Sequence, residues 1–239
     1  MTSKKIQRIL LKISGEFLMG NSDFGLDIKM VDRIAQEVHR VYESGYEVCL
    51  VIGGGNIFRG ISGAAHGMHR ATADNIGMLA TIMNSIAFQN SLEKNGVPTR
   101  VLSAVLMPSI CEPYIRRKAL RHIEKKRIVI FAAGSGNPYF TTDTAAILRA
   151  LETGCDMLMK ATKVAGVYDS DPKQNKNAIL LKKLSYRDVF EKNIKVMDQT
   201  AVTLAQENNM PIYVFSLQEE GNLEKVLSGD GFYSIITGE

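Results

Sequence analysis

Three consecutive glycines, Gly53-Gly54-Gly55, close the apolar run Val48 to Ile52, and Asn56 and Arg59 follow. Backbone amides uncovered at such a turn carry positive partial charge, and without Cβ atoms an anion can approach them closely. The chemistry on offer is phosphate binding, with Arg59 adding a full charge; the alternative is a tight strand-to-helix connection that holds no ligand. Lys12 and Lys160 stand where two other apolar runs end, Ile9-Leu10-Leu11 and Met157-Leu158-Met159. One lysine so placed reaches solvent or a salt bridge. Two of them with Asp143 would make a phosphate clamp. A second loop, Gly134-Ser135-Gly136-Asn137-Pro138-Tyr139-Phe140-Thr141-Thr142-Asp143, offers hydroxyls and amides to a polar ligand and two rings to flank a base. Its plainer reading is a turn in which Asp143 caps the next helix. Phosphoryl transfer needs this set: cations for the moving oxygens, amides to hold the ends, and a carboxylate to orient the lysines or Mg2+.

The elements around these groups read as alternating strands and helices. Ile9 to Ser14 is a strand apolar enough to be buried on both faces of a parallel sheet. Asp27 caps a helix with apolar groups at Ile28, Val31, Ile34, Ala35, Val38, Val41 and Tyr42, and Gly45 stops it. Strand, helix and the strand Val48 to Ile52 make a βαβ unit, which puts loops at the carboxyl ends of strands, where open α/β sheets bind ligands. Arg70 to Lys94 reads as one long helix with apolar groups nearly all round, so it either forms a subunit interface or lies in the core of its own chain.

Pro98 to Leu106 is expected as a third strand, followed by a helix from about Pro113 to Lys126 and the strand Ile128 to Ala133. The helix is basic, with Arg116, Arg117, Lys118, Arg121, Lys125 and Lys126; lacking interleaved aromatic residues, it reads as a solvated face before it reads as a nucleic-acid surface. A helix through Ala146, Ile147 and Leu151 leads to the strand Asp156 to Lys160. The loop Thr162 to Pro172 is either a polar lid over a nucleotide or an Asp-Pro turn. Helices around 185–191 and 198–208, a strand at 212–215, a short helix near 222–227 and a strand near 233–237 complete the chain.

The chain has 239 residues, 45% hydrophobic and 23% charged, which suits one large domain or two intimately packed lobes. A net charge of +4 is too weak to imply nucleic acid and agrees with anionic small molecules. Cys49, Cys111 and Cys155 are widely spaced with no CxxC pair, so a disulfide framework and a structural zinc site are not expected and a reducing cytoplasm is. Lys12, Gln7 and Arg8 interrupt the first apolar run, so no signal peptide is expected, and no segment reads as a membrane span. Neither GxxxxGK[ST] nor GxGxxG occurs, and HExxH and serine- or cysteine-nucleophile patterns are also missing. His66 and His69 fit a surface loop better than a metal site.

Five elements together carry a resemblance: Lys12-Ile13-Ser14-Gly15-Glu16, Gly53-Gly54-Gly55-Asn56, Asp74, the Gly134 to Asp143 loop and Lys160-Ala161-Thr162-Lys163. In that order the chain resembles the bacterial uridylate kinases of the amino acid kinase superfamily over essentially its whole length. The first two motifs are shared with kinases of aspartate, glutamate and acetylglutamate, whereas the GSGNPYFTTD loop is of the uridylate type. The resemblance implies a three-layer αβα sandwich with a central, mainly parallel sheet, in a single domain: a UMP-binding lobe at about 1–155 and an ATP-binding lobe at about 156–239. It implies transfer of the ATP γ-phosphate to UMP with Mg2+, the ion coming with the nucleotide phosphates.

By position, Lys12, Asp143 and Lys160 would be catalytic. Lys12, Ile13, Ser14, Gly15, Gly55, Arg59, Thr162, Tyr168 and Asp171 would hold ATP. Gly54, Asp74 and Ser135, Gly136, Asn137, Pro138, Tyr139, Phe140, Thr141 and Thr142 would hold UMP. The loop Gly20, Asn21, Ser22, Asp23, Phe24, Gly25 matches the region linked to GTP activation; UTP inhibition and a homohexamer are implied as well. Ala165 stands where the family pattern has an acidic residue, and Ser135 replaces the commoner threonine. The alternatives are a kinase of a carboxylate such as aspartate or acetylglutamate, and a pyrimidine-sensing regulator without catalysis.

Overall fold

The computed structural model describes residues 7–58, 67–170, 172 and 174–238. Its strands are β1 (Arg8–Ile13), β2 (Glu47–Ile52), β3 (Thr99–Ser103), β4 (Glu112–Pro113), β5 (Ile128–Ala132), β6 (Met157–Thr162), β7 (Lys183–Ser185), β8 (Ile212–Ser216) and β9 (Tyr233–Thr237). They form one sheet in the order β4-β3-β5-β2-β1-β6-β8-β9-β7. Neighbours run parallel except β8 and β9. The helices are α1 (Ile28–Glu43), α2 (Arg70–Lys94), α3 (Arg116–Glu124), α4 (Thr142–Thr153), α5 (Tyr186–Glu191), α6 (Gln199–Glu207) and α7 (Asn222–Ser228).

The expected αβα sandwich is the observed one, and side-chain alternation along the strands builds it. Ile9, Leu11 and Ile13 of β1 and Met157 and Met159 of β6 enter a core with α1, α2 and α7. Leu10 and Leu158 point the other way, into a core with α3, α4, α5 and α6. Because side chains alternate with a period of two, Lys12 and Lys160 belong to the Leu10 and Leu158 face, the one α4 covers. Register strengthens this: Lys12 and Lys160 are direct partners on adjacent parallel strands.

Several boundaries differ from the sequence reading. Strand β3 ends at Ser103, whose hydroxyl takes the Val105 N–H and donates to the Val105 carbonyl, turning the chain before Leu106. Pro113 lies in the two-residue edge strand β4 rather than in a helix, a place where its missing N–H costs no ladder bond. β7, at the other edge, was not foreseen; three residues are too few for a periodicity. Basic helix α3 is partly neutralised within the chain by Lys118 on Glu112 and Arg121 on Glu124, at 3.1 Å each, which favours the solvated-face reading. Among the described residues no helix is long and apolar enough to cross a membrane, and the three cysteines are free and buried.

Candidate active site

Lys12, at the carboxyl end of β1, and Lys160 of β6 converge on one carboxylate. Lys12 Nζ stands 2.9 Å from Asp143 Oδ1, and Lys160 Nζ donates to Asp143 Oδ2 at 2.5 Å. Each carboxylate oxygen thus faces one ammonium group, Oδ1 that of Lys12 and Oδ2 that of Lys160. Two ammonium groups on neighbouring strands repel one another, and Asp143 makes their approach tolerable. Burial by itself pushes the Asp143 carboxyl upward, but the Lys12 and Lys160 charges more than offset it and hold it at about 2. Burial lowers the Lys160 ammonium below the usual lysine range; the Asp143 carboxylate restores only part of that.

Asp143 reaches this point because α4 starts beside it. The helix cap is Thr141, whose hydroxyl accepts from the Asp143 and Thr144 N–H groups, so the reading of Asp143 as a cap is corrected. Freed from capping, the Asp143 carboxylate turns back toward the sheet. Thr141 Oγ1 also donates to Asp198 Oδ2, and Thr144 Oγ1 donates to Asp198 Oδ1 at 2.8 Å. Asp198 caps α6, so the second loop is tied to the far half of the molecule. The sequence reading gave Asp198 no role beyond a helix start.

The triple-glycine bend follows β2. A Cβ on Gly15 would lie 2.5 Å from Asn56 Oδ1 and from the Gly53 carbonyl, so the Ser14-Gly15 turn and the bend fit only without a side chain there. A Cβ on Gly54 would meet Ala80 at 2.8 Å, which fixes the bend against α2. Asn84 of α2, wholly buried, donates to the Gly53 carbonyl at 2.6 Å and to Asn56 Oδ1 at 2.7 Å. Asn56 Nδ2 in turn donates to the Gly25 carbonyl at 2.8 Å, and the Gly25 N–H returns to the Asn56 carbonyl at 2.8 Å, joining the 20–25 loop to the bend. Asn84 was missed; one asparagine inside a helix gives no periodic signal. Arg59 and Asp171 lie outside the described residues, as does His66. His69 caps α2 through Nδ1, which accepts from Ala71 N–H at 3.3 Å.

Two cavities flank the lysine and carboxylate cluster. The first, about 200 Å³, is lined by Gly54, Asp74, Ser135, Asn137, Phe140, Thr141 and Thr142 among others. Gly136, Pro138 and Tyr139 are not on its wall: the Tyr139 ring is exposed beside Arg70, and its N–H is taken by Asp74 Oδ2 at 2.8 Å. Asp74 also pairs with Arg70 at 2.9 Å. The second cavity, about 500 Å³, is lined by Thr162, Tyr168, Asp169, Ile194, Val196 and Val214 among others. Residues 192–196 were not foreseen in this wall because they fall between two helices and carry no motif. The cluster touches both walls: Asp143 adjoins Thr142 of the first, and Lys160 donates to the Val196 carbonyl of the second at 2.5 Å.

The model of the amino acid kinase family matches residues 7–216. A uridylate kinase of Paramagnetospirillum magneticum is 57% identical over 235 residues, covering 98% of either chain. One from Rickettsia prowazekii is 55% identical, covering 97% of this chain and 96% of its own. The crystal structure of a UMP kinase from Bacillus anthracis superposes with a TM-score of 0.94 at 38% identity, covering 99% of this chain and 98% of that one. Sheet order, cluster and whole-length identity agree: the chain belongs to the amino acid kinase family, among its uridylate kinases.

Proposed function

We propose that the protein transfers the γ-phosphoryl group of ATP to UMP, giving UDP and ADP. The observation that carries this is Asp143 held between Lys12 and Lys160, with Thr142 of the first cavity wall next in the chain and Val196 of the second bonded to Lys160. The first cavity, walled by the uridylate-type loop, suits UMP; the second, between Thr162, Tyr168 and the 192–196 segment, suits the ATP base and ribose. This divides the chain into an acceptor lobe at about 1–155 and a donor lobe at about 156–239. Ile13, Ser14, Gly15 and Gly55 would turn backbone toward the ATP phosphates beside Arg59, and Asp171 would join Thr162 and Tyr168 at the base and ribose.

A carboxyl group held at about 2 is a poor base at neutral pH. None is needed, because an acceptor phosphate with a second pKa of about 6 is already deprotonated. Asp143 therefore acts by fixing the two ammonium groups, and these neutralise charge on the transferring oxygens. Among the described residues no three His, Cys, Asp or Glu side chains gather to hold a metal, and Asp143 is committed to two lysines. Mg2+ would come with the ATP phosphates, as part of that substrate.

Assembly and control belong to the same proposal. Leu79 and Met83, one turn apart on α2, are 46% and 54% exposed, which supports a subunit contact within a homohexamer. UTP would compete at the acceptor cavity, and GTP would act through the 20–25 loop, whose bonds to Asn56 support a link to the glycine bend. Buried free cysteines agree with a reducing cytoplasm. Purified protein given ATP-Mg2+ and a panel of UMP, CMP, aspartate and acetylglutamate should make UDP in preference to every other product. Absence of UDP overturns the proposal.

A further inference from the structure

Two residues of the second loop adopt a left-handed backbone without being glycine: Ala133, with φ of 60°, and Tyr139, with φ of 72°. A Cβ makes that conformation costly, and it persists only where the surroundings hold it. In both cases the holder is a side chain of α2 that takes the strained residue's N–H. Asp74 accepts from Tyr139, and Thr81 Oγ1 accepts from Ala133 at 2.8 Å. Asp74 and Thr81 are seven residues apart, two helical turns on one face. The Thr81 hydroxyl is also oriented: it donates to the Met78 carbonyl at 2.7 Å, which leaves a lone pair facing Ala133. Thr81 and Ala133 are both buried, so no water can replace this bond cheaply.

We propose that Thr81 is a positioning residue for acceptor binding, holding Ala133 in the left-handed turn from which the loop wall at Ser135, Asn137, Phe140 and Thr141 departs. The proposal rests on the acceptor reading of the first cavity. Thr81 also borders that cavity, but with its hydroxyl committed to Met78 and Ala133 it acts on the ligand through the loop.

The test is steady-state kinetics on the full-length protein, varying UMP and ATP separately, with amide hydrogen exchange of residues 133–141 in the absence of nucleotide. Thr81→Val keeps shape and removes the acceptor. It should raise KM for UMP about tenfold, a loss typical of one buried hydrogen bond, with KM for ATP within about twofold. Thr81→Ser should restore UMP binding. Ala133→Gly placed in the Thr81→Val background should recover much of the loss, because glycine needs no help to stay left-handed. Exchange at Ala133 should quicken in Thr81→Val alone. An unchanged KM for UMP with unchanged Ala133 exchange overturns the proposal, as does an equal rise in both KM values that Ala133→Gly does not relieve. If the wild type makes no UDP, the functional reading fails, and the exchange comparison still decides whether Thr81 holds the turn.

Discussion

At the scale of single residues, the proposed chemistry turns on the carboxylate of Asp143, which faces both lysines. Asp143→Asn leaves two buried ammonium groups facing each other, so it should cost on the order of 3 kcal/mol of stability as well as more than about a hundredfold in turnover. The pH dependence has a definite sign. Asp143 is held at about 2, below its ordinary 3.8, so its contribution is complete above pH 4 and fades as pH falls through about 2. Urea unfolding of wild type and Asp143→Asn should therefore differ most at pH 5 and converge by about 2 kcal/mol toward pH 2. Lys12 and Lys160 were legible in the sequence because charged residues at the ends of apolar runs stand out, whereas Asp143 was singled out only through the second loop that it closes. Thr81 and Asn84 were not, since a polar residue in mid-helix looks the same whether it faces water or a buried carbonyl.

Among the elements, α2 joins the two glycine loops. Its inward side carries Thr81, Asn84 and Ser85, all buried, and through the first two it holds both glycine loops; its outward side carries Leu79 and Met83. Long apolar periodicity revealed the helix but hid this division, because small polar residues that bond to backbone are buried as readily as apolar ones once partnered. Replacing Leu79 and Met83 together by lysine should leave the melting temperature of the protomer nearly unchanged and shift sedimentation to a smaller species. Unaltered sedimentation would remove α2 from the subunit contact. Elements with six or more residues in period were found near their observed places, whereas β4 and β7 were invisible. Two or three residues paired at a sheet edge owe their conformation to the neighbouring strand and not to their own pattern.

Over the whole molecule, parallel strands in βαβ units could be expected from alternating strands and helices and the sandwich from the family resemblance, but the strand order had no local signal, since pairing across long sequence separations leaves no local trace. That order puts β1 beside β6, and with it the two lysines. The second tie across the molecule is Asp198 to Thr141 and Thr144. Asp198→Ala removes a helix cap and two hydroxyl bonds to a charge, and should cost about 2 kcal/mol in urea unfolding while raising KM for both nucleotides. A change confined to one nucleotide would count against a bridging role. Strand neighbours lie about 4.8 Å apart for as long as the sheet persists. A loop movement at the second loop would therefore have to release Asp198 and leave the β1 and β6 pairing intact. The backbone positions from which the two cations extend are thereby kept one strand spacing apart.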